Sequence, residues 1–164
     1  MHRLHNTLFA ISLALLSSMA FANNAEHQVD KLLARGEMPE GVVFEIVSGD
    51  SSALRWALPR TKQLIDKLRQ RYPELPIAIV THGQEQFALQ KKNRDEFKQV
   101  HSLTESLVKN SGVSLHVCGT YAEWHGIEAE AFASYANVSP AGPAQINDYV
   151  ALGYTKIVVD KPNG

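Results

Sequence analysis

The chain has a single cysteine, Cys118, among 164 residues. No disulfide can therefore form within one chain, so the fold must hold without covalent cross-links. Other absences narrow the function classes. Lysines and arginines are not gathered into a run and the formal net charge is −1, so the basic footprint of a nucleic-acid binder is missing. No GxGxxG fingerprint occurs, which argues against a dinucleotide site. No internal repeat or low-complexity tract is visible, and only one long apolar run exists, at the start of the chain.

That run decides the expected compartment. "MHRLHNTLFAISLALLSSMAFA" opens with a short polar segment bearing Arg3, continues through an apolar stretch from Leu8 to Leu16, and ends in Ala20-Phe21-Ala22. This is the layout of a cleaved Sec-type signal peptide, and its apolar core is too short to span a bilayer. Cleavage after residue 22 removes one basic group and no acid, which takes the net charge from −1 to −2. The expected product is a soluble periplasmic protein of about 142 residues, one ordinary domain, with no membrane segment left. Exported proteins usually pair their cysteines. A lone one is buried and inert, pairs between chains, or is a free thiol with a task.

Residues 23–40 read as a polar lead-in with a short helix near His27–Arg35. The domain proper, 41–164, reads as alternating strands and helices. "GVVFEIVSG" (Gly41–Gly49), "PIAIVTHG" (Pro76–Gly83), "GVSLHVCG" (Gly112–Gly119), a short "NVSPAG" segment and Thr155–Val159 are strand candidates. Between the first two, Leu54, Leu58, Thr61, Ile65 and Leu68 recur at helical spacing, with Pro59 as a kink or first-turn mark and Ser51 or Ser52 as the cap. A second amphipathic stretch covers 94–110, a short helix is expected in "IEAEAFASYA", and a last helix begins near Pro143 and stops at Gly153. Strands separated by helices imply βαβ units, hence a parallel sheet covered on both faces. The predicted fold is a three-layer α/β domain of flavodoxin or Rossmann type, with about five strands and a mainly parallel sheet.

In such a sheet, ligands bind beyond the carboxyl ends of the strands. Cys118 ends the third strand, so the fold delivers it to that rim. Amides in the Gly119–Thr120–Tyr121 turn would steady a thiolate, which could attack a sulfane sulfur and hold it as a persulfide. This needs a sulfur atom that solvent can reach. His116 lies two residues earlier on the same side of the strand, and His82 ends the second strand. Either could supply a proton or a positive neighbour. Alternatively, His116, Cys118 and His125 could hold a soft metal such as copper(I), or Cys118 could be a buried thiol without chemistry. "SGDSSALRW" offers an anion pocket or, more simply, helix capping. Trp56 and Trp124 read as core or interface residues.

Three segments, "VVFEIVSGDSSALRWAL", "IAIVTHGQEQFAL" and "GVSLHVCGTYAEWHGI", together resemble the DsrE/DsrF-like family of sulfur-relay proteins. The last is the most specific: apolar strand, Cys, short helix, then Gly-aliphatic. The resemblance covers about Gly41 to Val159. It implies a flavodoxin-like fold and assembly into dimers, trimers or hexamers. It also implies a sulfur-carrier or sulfurtransferase role, with Cys118 as the sulfur-accepting residue and no organic cofactor. The partners would be sulfur donor and acceptor proteins or small thiols. Some members carry a second cysteine three residues on. Here that position is Tyr121, which excludes an intrachain disulfide relay.

Overall fold

The structure, a computed structural model, describes residues 24–161. The segment read as an export signal lies outside them. Five strands, β1 (Val42–Ile46), β2 (Ile77–Thr81), β3 (Ser114–Cys118), β4 (Asn137–Ser139) and β5 (Thr155–Val158), form one sheet in the order β4-β3-β2-β1-β5. Every pairing is parallel, with Phe44 opposite Ile79 and Ile79 opposite Leu115 across the centre. Every residue of β2 is buried, as a strand walled by neighbours and covered on both faces requires. In β1 the pattern breaks once, at Glu45.

Alternation along the strands sorts side chains to two unequal faces. Phe44, Ile46, Ile79, Leu115, Val117 and Ile157 join the main apolar cluster under α1 (Asn24–Ala34), α2 (Leu54–Arg71) and α3 (Lys98–Ser111). On the other face lies α5 (Gly142–Ala151), and the cluster there is small: Val43, Ala78, Val80 and Ile146, flanked by Tyr149 and Tyr154. A five-residue turn of helix, α4 (Gly119–Glu123), follows β3 directly. Among the described residues, no helix is long and apolar enough to cross a membrane.

Several local expectations change in the folded chain. The helix expected near His27–Arg35 is present as α1 and starts earlier, at Asn24, with Ala25, Val29 and Leu32 buried. Three- and four-residue spacing gives that helix a narrow apolar stripe, enough to dock on α2 and β5. Pro59 sits within α2 rather than at its start. Neither Ser51 nor Ser52 caps it: the N-cap is Ala53, which has no side-chain acceptor, and Ser52 N and Ser52 Oγ donate instead to Asp50 Oδ1, both at 2.8 Å, in the preceding turn. "IEAEAFASYA" is not a helix beyond the 3-10 turn at Ala129–Ala131. There, tertiary contacts override propensity: Phe132, Ala133, Tyr135 and Ala136 are buried, and Ala133 N donates to Leu89 O at 3.0 Å.

Tyr135 is held by His101, which is 1 % exposed on the buried side of α3. His101 Nε2 pairs with Ala88 O at 2.9 Å, and Nδ1 pairs with the Tyr135 hydroxyl. Since Ala88 O can only accept, Nε2 carries the proton and Nδ1 accepts from the tyrosine. Burial lowers the His101 pKa below 6.5 and raises that of Tyr135 to about 12. The folded chain thus binds fewer protons at His101 than the unfolded chain does. Stability is expected to fall as pH drops below 6.5, by up to about 1.4 kcal/mol per pH unit until the lower folded value is reached. Urea unfolding at pH 7 and 5.5 checks this; equal midpoints would refute it.

Candidate functional site

The carboxyl ends of β2 and β3 meet the amino end of α5, and Cys118 stands where they join. It is the N-cap residue of α4, with Sγ accepting from Tyr121 N at 3.4 Å. Of the amides expected to face the sulfur, this one does. Thr120 does not serve: its N–H donates to Pro140 O at 2.9 Å and its hydroxyl donates there at 2.7 Å. Gly119 lies against the backbone of β4's end, where a Cβ would come 3.0 Å from Ser139 O.

The peptide of Cys118 is clamped from behind by fully buried Gln86. The Gln86 amide accepts from Cys118 N at 2.8 Å and donates to Cys118 O at 3.1 Å. One residue earlier, fully buried Glu85 fastens the loop after β2. Its Oε1 accepts from Thr81 Oγ1 (2.5 Å), His82 N (3.1 Å) and Gly83 N (2.9 Å), and its Oε2 accepts from Ser48 N (2.7 Å). Gly83 makes this possible, because a Cβ there would meet Glu85 Oε2 and Ser48 O at 2.5 Å.

Gly142, the first residue of α5, closes the arrangement. A Cβ on it would lie 2.5 Å from His82 Cβ and 3.3 Å from Cys118 Cβ. The two side chains thus pack against the same glycine. Cys118 is only 5 % exposed, which corrects the expectation of an open thiol. Gly142 of α5 packs against its Cβ, and the residue lies outside both apolar clusters.

His82 points to β1. Its Nε2 is 2.9 Å from Glu45 Oε1, and Lys156 Nζ on β5 is 2.9 Å from Glu45 Oε2. Burial alone would raise the Glu45 carboxyl. Hydrogen bonds from Lys156 and His82, with their charges, outweigh it and hold the group below its usual value. His116 shares the α5 face but is occupied: Nδ1 pairs with Ser139 Oγ and Nε2 with the Tyr149 hydroxyl, both at 2.9 Å. Burial lowers its pKa, adding to the acid sensitivity from His101.

His125 is on the far side of α4. It pairs with Tyr121 O at 2.9 Å and Gln84 Nε2 at 3.2 Å, with its ring against Phe87 and Tyr121. His116, Cys118 and His125 do not converge. Among the described residues no group of three His, Cys, Asp or Glu is placed to hold a metal. Trp56 packs partly buried on the main core, whereas Trp124 is 77 % exposed.

No protein-family model matches the chain, and no curated protein matches it either. Among solved structures, the fold is similar to that of MTH1491 from Methanobacterium thermoautotrophicum, described as a protein of unknown function. Identity is 20 %, the TM-score is 0.56, and the match covers 71 % of this chain and 96 % of that one. This likeness speaks to the α/β fold alone.

Proposed function

We propose that the protein is a periplasmic sulfur carrier that holds sulfane sulfur as a persulfide on Cys118. The supporting observation is the setting of Sγ: at the carboxyl end of a parallel strand, accepting a backbone N–H from Tyr121, with His82 packed on the same glycine. A backbone donor aimed at sulfur favours the anionic nucleophile. The thiolate attacks the terminal sulfur of a donor R–S–SH. The donor's S–S bond breaks, its electron pair leaves on R–S⁻, and Cys118–S–SH remains. The step is a group transfer and needs no oxidant. Handing the sulfur to an acceptor thiol reverses it.

The 5 % exposure favours a narrow donor, such as a hydropersulfide or inorganic polysulfide, over a bulky one. The proposal extends to donor and acceptor thiols as partners. It also includes a homo-oligomer that covers exposed apolar side chains such as Val47 and Trp124.

That same low exposure supports a second reading, in which Cys118 merely caps α4 and does no chemistry. One experiment separates them. After polysulfide treatment of the native protein, intact mass should rise by one sulfur atom, return on reduction, and stay unchanged in Cys118→Ser. A thiol that stays unloaded when native, and is labelled only after unfolding, would establish the inert reading.

A further inference from the structure

A chain of directed hydrogen bonds, besides the small apolar cluster, fastens α5 to the sheet. Ser139, the last residue of β4 and buried, donates through Oγ to Gln145 Oε1 of α5 at 2.9 Å. With its hydrogen committed there, Ser139 Oγ accepts from His116 Nδ1 at 2.9 Å. The proton of the neutral ring is thus on Nδ1, and Nε2 accepts from the Tyr149 hydroxyl, also on α5, at 2.9 Å. The Tyr149 ring stands edge-on to the imidazole, with centroids 5.7 Å apart. His116 therefore ties β3 to α5 twice: directly through Tyr149, and through Ser139 to Gln145.

A second proton on this ring has to enter at Nε2, where Tyr149 donates. The hydroxyl must then turn its own hydrogen away, and a cation is left between strand and helix. Both ring nitrogens bond to hydroxyls, so no carboxylate offsets the charge, and a half-buried cation without a counter-charge is costly. The charged state is relieved when the helix lifts and water reaches the ring.

We propose that α5 is a proton-operated latch: protonation of His116 releases the helix from the sheet and uncovers the side of Cys118 against which Gly142 packs. The regulatory purpose rests on the reading of Cys118 as a sulfur acceptor, whereas the opening itself does not. Burial is the one cause that lowers the His116 pKa from 6.5. The closed state therefore favours the neutral ring, and closure weakens as pH falls below 6.5.

The groups around His116 leave it the titrating member. From α5 comes Tyr149, whose pKa is raised by burial, with Tyr154 behind it at 4.9 Å between ring centroids. β2 and β4 place Val80 and Asn137 beside it in register. Cys118 follows two residues on along β3. Glu45, His82 and Lys156 are bonded to one another at β1 and its neighbours. Asp148, the charged residue of α5, is exposed.

Hydrogen exchange of single amides in the full chain, corrected for intrinsic pH dependence, tests the latch. The α5 amides of Ile146, Tyr149 and Val150 should exchange through an opening that leaves α2 protected. Its equilibrium constant should rise by up to about tenfold from pH 6.5 to 5.5, the limit for one proton. The α2 amides report the separate acid loss through His101. In His116→Gln, which keeps a hydrogen-bonding side chain but does not titrate, the α5 rise should vanish. An α5 that tracks α2 at every pH, or the same rise in His116→Gln, would overturn the proposal. Wild type alone gives a second check by NMR titration of the His116 ring. A midpoint below 6.5 supports the latch, and one at or above 6.5 sinks it even if the variant fails to fold. Dithiodipyridine, a thiol probe that reacts in acid, then reads the thiol. At pH 5.5 wild type should label faster than His116→Gln by the same factor as the α5 opening, and equal rates would remove Cys118 from its control. Opening of α5 without sulfur loading would leave the latch standing and end the carrier reading.

Discussion

Glu85→Ala is expected to lower the unfolding free energy by about 4 kcal/mol. The carboxylate receives four hydrogen bonds from Ser48, Thr81, His82 and Gly83, and it ties the ends of β1 and β2 together. Alanine removes the acceptor and leaves the donors behind. Each buried donor without a partner costs about 1–3 kcal/mol, and water entering the space recovers some of that. Against a typical stability of about 5–15 kcal/mol, the loss is large. Urea denaturation followed by circular dichroism measures it. Glu85→Gln should fall between the two, since its amide keeps one acceptor oxygen and turns an N–H₂ toward existing donors. A loss under about 1 kcal/mol in the alanine variant would mean that solvent replaces the clamp.

Gly142→Val should be nearly as damaging, for a different reason. The new Cβ would lie 2.5 Å from His82 Cβ and 3.1 Å from its Cγ, distances that packed carbon atoms do not tolerate. Neither atom is the loose end of a long side chain, so the amino end of α5 must move. Overpacking of this kind typically costs about 1–3 kcal/mol. The functional signature is more specific than the stability loss. Once α5 is displaced, Cys118 should react faster with iodoacetamide in the folded protein, although the variant melts at lower temperature. A variant with slower or unchanged alkylation would show that α5 is not what covers the sulfur.

The architecture was largely legible before folding. Runs such as "IAIV" and "VVFEIV" identify buried strands because parallel strands show little polar alternation. Pro143 and Gly153 bracket α5 as expected, Gly153 with a φ of +89°. The position of Cys118 followed from its place at the end of β3. The surroundings of the thiol were harder to read. Glu85 and Gln86 look like an ordinary polar turn, because their partners at Ser48 and Cys118 are 37 and 32 residues away. In the sequence, Gln84-Glu85-Gln86 simply follows a His-Gly pair after an apolar strand, and nothing local distinguishes the two that become buried. Glu45 looks like a solvent-facing position until β5 brings Lys156 to it. The burial of Cys118 at 5 % exposure, with α5 brought against it at Gly142, is a tertiary event with no local signature. His125 was only a loosely spaced alternative ligand, and in the fold it pairs with Gln84 and Tyr121 O instead.

The unequal cladding of the sheet has a mechanical consequence. Three helices share one deep core, while α5 sets its own Ile146 and Tyr149 against only Val43, Ala78, Val80 and Tyr154. Prising α5 loose therefore gives up less apolar contact than displacing α2, which buries Leu54, Ala57, Leu58, Leu64, Ile65 and Leu68. A sulfur that is shut away in the resting shape can thus be reached by a fluctuation that leaves the main core intact.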